Sequence, residues 1–433
     1  MYFKFLQTNN FKQMKNIFIL FIFFTLPAYC QFSTYFENHT LRMDYIHSGN
    51  STDEFYAFKQ FKKEKYWGGS HKNLLETFEY GKYFVKVFDF DSGDMIYSRG
   101  YGSLFHEWSN TPEAKKFNKA FEESVTFPFP KKKIIIKLYS RNKEMKFEEK
   151  FFIEFDPSKT PYLKKNDFEC PVIDIVKSGS PDKKVDIVVL SEGYTEKELG
   201  KFIKDCQELV KKLFTYSPYD KYKDYFNVKA VWASSIESGS DNPLKDIEVN
   251  TVLNTSFNTL YSDRYCMTLS YHKVRDIAAN APYDQIYILV NTEKYGGGAI
   301  YNYYSVSAGG NLQSPKVFIH EFGHAFAGLA DEYAYEDSFE NMYVKGVEPW
   351  EPNITTLVDF DHKWKNMINN GIPIPTPSTS EYNDVVGAFE GAGYLLKGVY
   401  RPKQDCLMRS FAGDEFCPVC KKAIEDMIRF YSE

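Results

Sequence analysis

From about Gln31 to Asp156 the chain runs in short stretches of aromatic and β-branched residues parted by turn formers, the pattern of strands. Tyr83–Phe90 followed by Asp91-Ser92-Gly93-Asp94 and Met95–Ser98 predicts a hairpin turning at Ser92-Gly93. Ile134–Tyr139 and Lys150–Phe155 predict a second pair joined by polar Ser140–Lys146, and Glu113–Glu123 predicts one helix. Several strands around one helix point to a β-sandwich-like domain. Near Asp156–Ser178 the chain turns polar and proline-bearing, and beyond it the pattern alternates. Val185–Leu190 predicts a strand and Thr195–Phe214 an amphipathic helix, opened by a Thr195/Glu198 capping box. Phe226–Trp232, Gln285–Val290 and Ala299–Ser307 predict further strands. This order implies a mixed sheet with helices packed on it, in an α+β chain of two domains. The expected division is a leader over 1–30, a β-rich domain over 31–160 and a second domain over 161–433.

The leader rests on Lys15 preceding the apolar run Ile17–Phe24, which continues to Pro27-Ala28-Tyr29-Cys30. The run is shorter than the ~20 residues that span a bilayer, so the mature chain is expected to be exported, with no transmembrane anchor. Met14 offers a more typical start, and bulky Tyr29 argues against lipid attachment at Cys30. The 433 residues carry a formal net charge of −5, and 18% of them are aromatic. Aromatic content of that order provides for large cores and excludes an intrinsically disordered chain. With both charge signs interspersed and no basic block, nucleic acid is not an expected partner.

Cutting after Cys30 leaves Cys170, Cys206, Cys266, Cys406, Cys417 and Cys420. Cys417-Pro-Val-Cys420 has the spacing of half a zinc ribbon or of a redox pair, but no second CxxC accompanies it. The expectation is a structural disulfide near the C-terminus involving Cys406. His39, His47, His71 and His106 have no ligand-like spacing and are read as structural.

The chemistry concentrates in Ser314-Pro315-Lys316-Val317-Phe318-Ile319-His320-Glu321-Phe322-Gly323-His324. Ser314 suits an N-cap and Pro315 the first helical position. His320 and His324 are then four apart on one helical face, where two imidazoles can ligate one Zn2+, with Glu321 beside them as general base: the HExxH pattern. Gly328 would end the helix in the left-handed region and return the chain toward the metal. Asp331 or Glu332 would then supply an oxygen ligand, Asp331 being the choice, with His272 and His362 as outside candidates. Downstream, Asp405–Ser410 looks like a tight turn that places Met408 beneath the site. In metzincins the glycine and third ligand follow the second histidine by about three and six residues; here Gly328 and Asp331 each fall one residue later.

HEFGHAFAGLADEY, the CLMRS turn and the terminal FCPVC, preceded by a β-rich domain, resemble the IgA peptidase family of zinc metallopeptidases. The resemblance implies a metzincin-like (zincin) catalytic domain behind an N-terminal accessory domain. It also implies a secreted endopeptidase acting on protein or peptide substrates, immunoglobulin A among the possible ones, with Zn2+ on His320, His324 and Asp331, Glu321 as catalytic base and Tyr333 a possible helper. Substrate is expected to pair antiparallel with strand Ala299–Ser307, bracketed by Gly296–Gly298 and Gly309-Gly310. The competing class is a surface binding protein with a structural zinc. A closed structural site uses four protein ligands and leaves Glu321 without a purpose, which disfavours that class.

Overall fold

The computed structural model describes residues 32–335, 343–344 and 346–433. The leader assigned to residues 1–30 lies outside the described residues. After a single turn, α1 (Phe32–Tyr35), come β1 (Phe36–Gly49), β2 (Glu54–Glu64), β3 (Tyr83–Asp89) and β4 (Met95–Tyr101). Then follow α2 (Leu104–Ser109), β5 (Lys119–Pro130), β6 (Ile134–Arg141) and β7 (Phe147–Phe155). They form two antiparallel sheets, ordered β2-β1-β5 and β4-β3-β6-β7. Alternating residues of both sheets, among them Leu41, Met43, Val85, Val87, Phe127 and Ile136, fill the core between them.

Both expected hairpins are present, β3 with β4 and β6 with β7. The expected helix at Glu113–Glu123 is not. Only Glu113–Lys115 makes a 3-10 turn, and from Lys119 the chain is β5, paired along its length with β1. Local helix preference in the Glu/Lys/Ala stretch yields to burial of Phe121, Val125, Phe127 and Phe129.

The second half is built on a six-stranded mixed sheet, ordered β12-β13-β11-β9-β10-β8. Its elements are β8 (Val172–Val176), β9 (Val185–Glu192), α3 (Leu199–Leu213), β10 (Phe226–Val231), α4 (Tyr271–Ala278) and β11 (Gln285–Val290). They continue with β12 (Gly297–Ile300), β13 (Tyr304–Ala308) and α5 (Ser314–Ala327). The hairpin β14 (Phe389–Ala392) with β15 (Leu395–Arg401) and the helix α6 (Pro418–Ser432) complete the chain. β10, β9, β11 and β13 are parallel, with β8 and β12 antiparallel at the two edges. β9 and β11 are buried at every residue, as strands covered on both faces must be. Helices α3, α5 and α6 cover one face. α4 covers the other, together with Leu104, Phe105, Trp108 and Phe121 of the N-terminal sandwich. Buried Arg42 of β1 reaches across to Asp276 of α4 at 2.6 Å, joining the two halves. The capping box forms as expected, Glu198 Oε2 accepting from the backbone N of Thr195 at 2.8 Å.

Two local readings change. The single strand expected over Ala299–Ser307 is two strands, folded at Tyr301–Tyr303 with Asn302 in the left-handed region (φ 50°). The glycines expected to bracket it instead let the edge strand pack closely. A Cβ on Gly297 would lie 2.9 Å from Val317 Cγ1, and one on Gly298 would lie 2.3 Å from Tyr265 Cε2. Helix α5 begins at Ser314 with Gln313 as its N-cap, and Ser314 Oγ accepts from the N–H of Asn311 at 3.1 Å. No helix among the described residues is long and apolar enough to cross a membrane.

Candidate active site

Helix α5 lies against β12 and β13 and presents His320, Glu321 and His324 to a cleft of about 660 Å³. Its position depends on Gly323, where a Cβ would come 3.1 Å from Met408 Sδ. Gly328 ends the helix with φ 63°, its N–H returning to His324 O at 3.1 Å.

Both imidazoles are oriented by backbone carbonyls. His320 Nδ1 is 3.0 Å from Leu407 O and His324 Nδ1 is 2.5 Å from Leu329 O. A carbonyl oxygen only accepts, so each Nδ1 carries the proton, and in neutral rings each Nε2 presents a lone pair. Those two lone pairs converge, Nε2 to Nε2 at 3.0 Å, and Asp331 Oδ1 lies 3.2 Å and 3.3 Å from them. Asp331 Oδ1 is buried with no hydrogen-bond partner beyond these two rings, so with both rings neutral three electron-pair donors face one point. A divalent cation satisfies that arrangement, and the donor set of two imidazoles and a carboxylate suits zinc.

The segment after Gly328 is fixed from both sides. Gly393 N donates to Asp331 O and Tyr394 N to Tyr333 O, both at 2.9 Å, from the β14–β15 turn. On the opposite side Glu332 N donates to Met408 O at 2.9 Å. Tyr394 Oη donates to Asp331 Oδ2. Burial disfavours the Asp331 charge, but His324 and His320 hold its carboxyl well below the ordinary range. Glu321 is raised by burial, opposed by the same two imidazoles.

Asp331 therefore gathers with His320 and His324, whereas Glu332 points into a different cluster with Cys406, Cys417 and Cys420. The outside candidates stay apart from this site. His272 is buried in α4 with Nε2 3.0 Å from Glu123 O, and His362 is exposed with Nδ1 2.6 Å from Asp359 Oδ1. The expected disulfide is absent: all six described cysteines are free, with Cys406 and Cys420 sulfurs 3.8 Å apart. Tyr333 lines the cleft and accepts from Arg264 Nη2 at 3.1 Å.

Sequence reading missed the opposite wall, which comes from the N-terminal half. Ser103, His106 and Glu107 line the cleft, and Tyr265 Oη donates to the Glu107 carboxylate. Burial pushes Glu107 up to about 7 and His106 down to about 3. Neither residue sits in a motif, and only the packing of α2 against the second half brings them here.

The sequence model of the IgA Peptidase M64 family matches residues 173–382 and 378–428, and that of the Peptidase M64 N-terminus matches residues 31–152. The chain belongs to the M64 peptidase family. It is accordingly a peptidase, with an N-terminal domain and a peptidase domain in an α+β fold, and its substrates are proteins. M64 peptidases are metallopeptidases, in keeping with a donor cluster that a cation would complete. A search of curated proteins returns no match.

Proposed function

We propose that this M64 peptidase is an exported zinc endopeptidase of metzincin type, with the metal on His320, His324 and Asp331 and with Glu321 as general base. The accessory domain is assigned to residues 31–160 and the catalytic domain to 161–433. The observation that carries the reading is the convergence of His320 Nε2, His324 Nε2 and Asp331 Oδ1 beside Glu321 on the floor of an open cleft.

Bound zinc would supply Lewis acidity, polarising the scissile carbonyl and lowering the pKa of the attacking water. The chain's own groups do the rest. Glu321 takes the proton of the attacking water and returns it to the leaving amine. Leu407 O and Leu329 O keep the two imidazoles in the tautomer that leaves Nε2 available, and Tyr394 Oη orients Asp331. Arg264 and Tyr333 stand over the cleft, suitably placed to meet substrate carbonyls.

Substrate cannot pair along the whole of β12, because Gly297 already donates to Arg264 O at 3.1 Å and accepts from Cys266 N at 3.2 Å. The peptide runs through the cleft between α5 and the Glu107 wall, which Gly298, Ala299 and Ile300 of β12 also line. A binding protein with a closed structural zinc would have no use for an open cleft beside Glu321.

The test is chelation of the purified enzyme followed by stepwise return of zinc, with cleavage of immunoglobulin A and of an unfolded polypeptide as readouts. Loss and zinc-dependent recovery of cleavage are expected. Cleavage that survives removal of the metal would overturn the reading.

A further inference from the structure

Behind the active-site cluster lies a second one. Glu332, Cys406, Cys417 and Cys420 come from three separate segments: the strand-like stretch after Gly328, the turn before Leu407, and the start of α6. All four are buried, and their ligand atoms lie within 4.8 Å of one another. Cys406 Sγ is 3.8 Å from Cys420 Sγ, and Cys420 Sγ is 3.2 Å from Glu332 Oε1. Tetrahedral geometry with zinc–sulfur bonds of about 2.3 Å sets sulfurs about 3.8 Å apart.

Two further features point to a ligand. Glu332 Oε1 accepts from Asn353 Nδ2 at 2.9 Å, but the fully buried Oε2 has no hydrogen-bond partner among the described residues. A carboxyl packed against three thiols with one oxygen unsatisfied is a costly interior unless a cation enters it. The backbone also aims donors at sulfur: Cys417 N lies 3.2 Å from Cys406 Sγ and Cys420 N lies 3.4 Å from Cys417 Sγ. Such dipoles offset the negative charge that thiolate ligands retain around a divalent ion.

We propose that Glu332, Cys406, Cys417 and Cys420 bind a zinc ion of their own, in a closed structural site distinct from the His320–His324–Asp331 cluster. Four protein ligands leave no open position for water or substrate, so the site is structural. A thioredoxin-like redox pair needs an accessible sulfur, whereas Cys417 is 2% exposed and Cys420 0%. A disulfide would join two of the thiols and leave the third and Glu332 Oε2 unsatisfied.

The position of the site gives the ion a task. Glu332 directly follows Asp331, and Cys406 directly precedes Leu407, whose carbonyl orients His320. One ion therefore ties the third-ligand segment, the Met408 turn and the start of α6 into a single unit beneath the cleft. This inference needs metal binding only and stands apart from the catalytic reading.

The test is elemental analysis of the full mature chain, wild type beside His324→Ala and Cys417→Ser, with Co2+ then substituted for the native metal. Two zinc ions per wild-type chain and one per His324→Ala chain are expected. Cobalt in the His324→Ala chain should give the intense near-ultraviolet band of thiolate-to-cobalt charge transfer, and Cys417→Ser should lose both that band and one ion. Should Cys417→Ser fail to fold, the band in His324→Ala decides the matter. A His324→Ala chain without metal and without the band overturns the proposal, as does a Cys406–Cys420 disulfide found by mass spectrometry of the unreduced protein. A single ion in the wild type that persists in His324→Ala upholds this site and instead removes the histidine one.

Discussion

Asp331 and Glu332 are neighbours in sequence, yet they point into two clusters of opposite character. Asp331 joins two imidazoles at the floor of an open cleft, with Glu321 alongside. Glu332 joins three cysteines in a closed, fully buried nest. Side chains of adjacent residues leave an extended backbone on opposite sides, so one short segment can serve both. Donor chemistry differs as well, with nitrogen and oxygen at the open site and mainly sulfur at the closed one. The lesson is that what a metal-ligating cluster does is set by access: three donors beside a cleft leave a place for chemistry, and four donors without a cleft leave none.

The contrast can be broken from either side. The two largest effects are expected at the open site, where Glu321→Gln should reduce peptide hydrolysis by ~10²–10⁴-fold with metal content unchanged; initial rates and elemental analysis check it. His324→Ala should abolish hydrolysis and remove one metal ion while leaving the cysteine site loaded. Tyr394→Phe removes the hydroxyl that orients Asp331, and loss of such a supporting bond typically costs about 10–100-fold in metal affinity or activity. Competition with a chelator of known affinity measures it, and an unchanged affinity would deny Tyr394 that role.

The smallest effect is a pH dependence. Glu107 has its carboxyl raised by burial from 4.5 to about 7. Between those values the folded chain holds a proton that the unfolded chain releases, so its contribution to stability is complete below about 4.5 and is lost as pH rises to about 7. Denaturant unfolding across that window should therefore show a fall with rising pH in the wild type that is reduced in Glu107→Gln. Equal slopes would place the titration elsewhere.

The sequence carried different parts of this molecule unequally. Strands with strong alternation or continuous apolar runs, such as β3, β6, β9 and β11, were legible because burial dictates their pattern. The stretch at Glu113–Glu123 was misleading, since pairing of β5 with the long strand β1 is a nonlocal fact that overrides local helix preference. Ala299–Ser307 read as one strand because a left-handed Asn302 does not interrupt the apolar pattern. His320, Glu321 and His324 were visible because a helix places them from spacing alone. Glu107, Tyr265 and Tyr394 were not, since each reaches the cleft only through tertiary packing. The CxxC looked incomplete for a similar reason: Cys406 and Glu332 lie far from it in sequence and join it only in the fold.

The central claim is that Glu321 performs proton transfer at the His320–His324–Asp331 centre. It is tested most directly by comparing cleavage of one unfolded polypeptide by wild type and Glu321→Gln, prepared with equal, measured zinc content. The account predicts discrete internal cuts by the wild type and cleavage at least ~10²-fold slower by the variant under the same conditions. Equal cleavage by the two metal-matched proteins would contradict it.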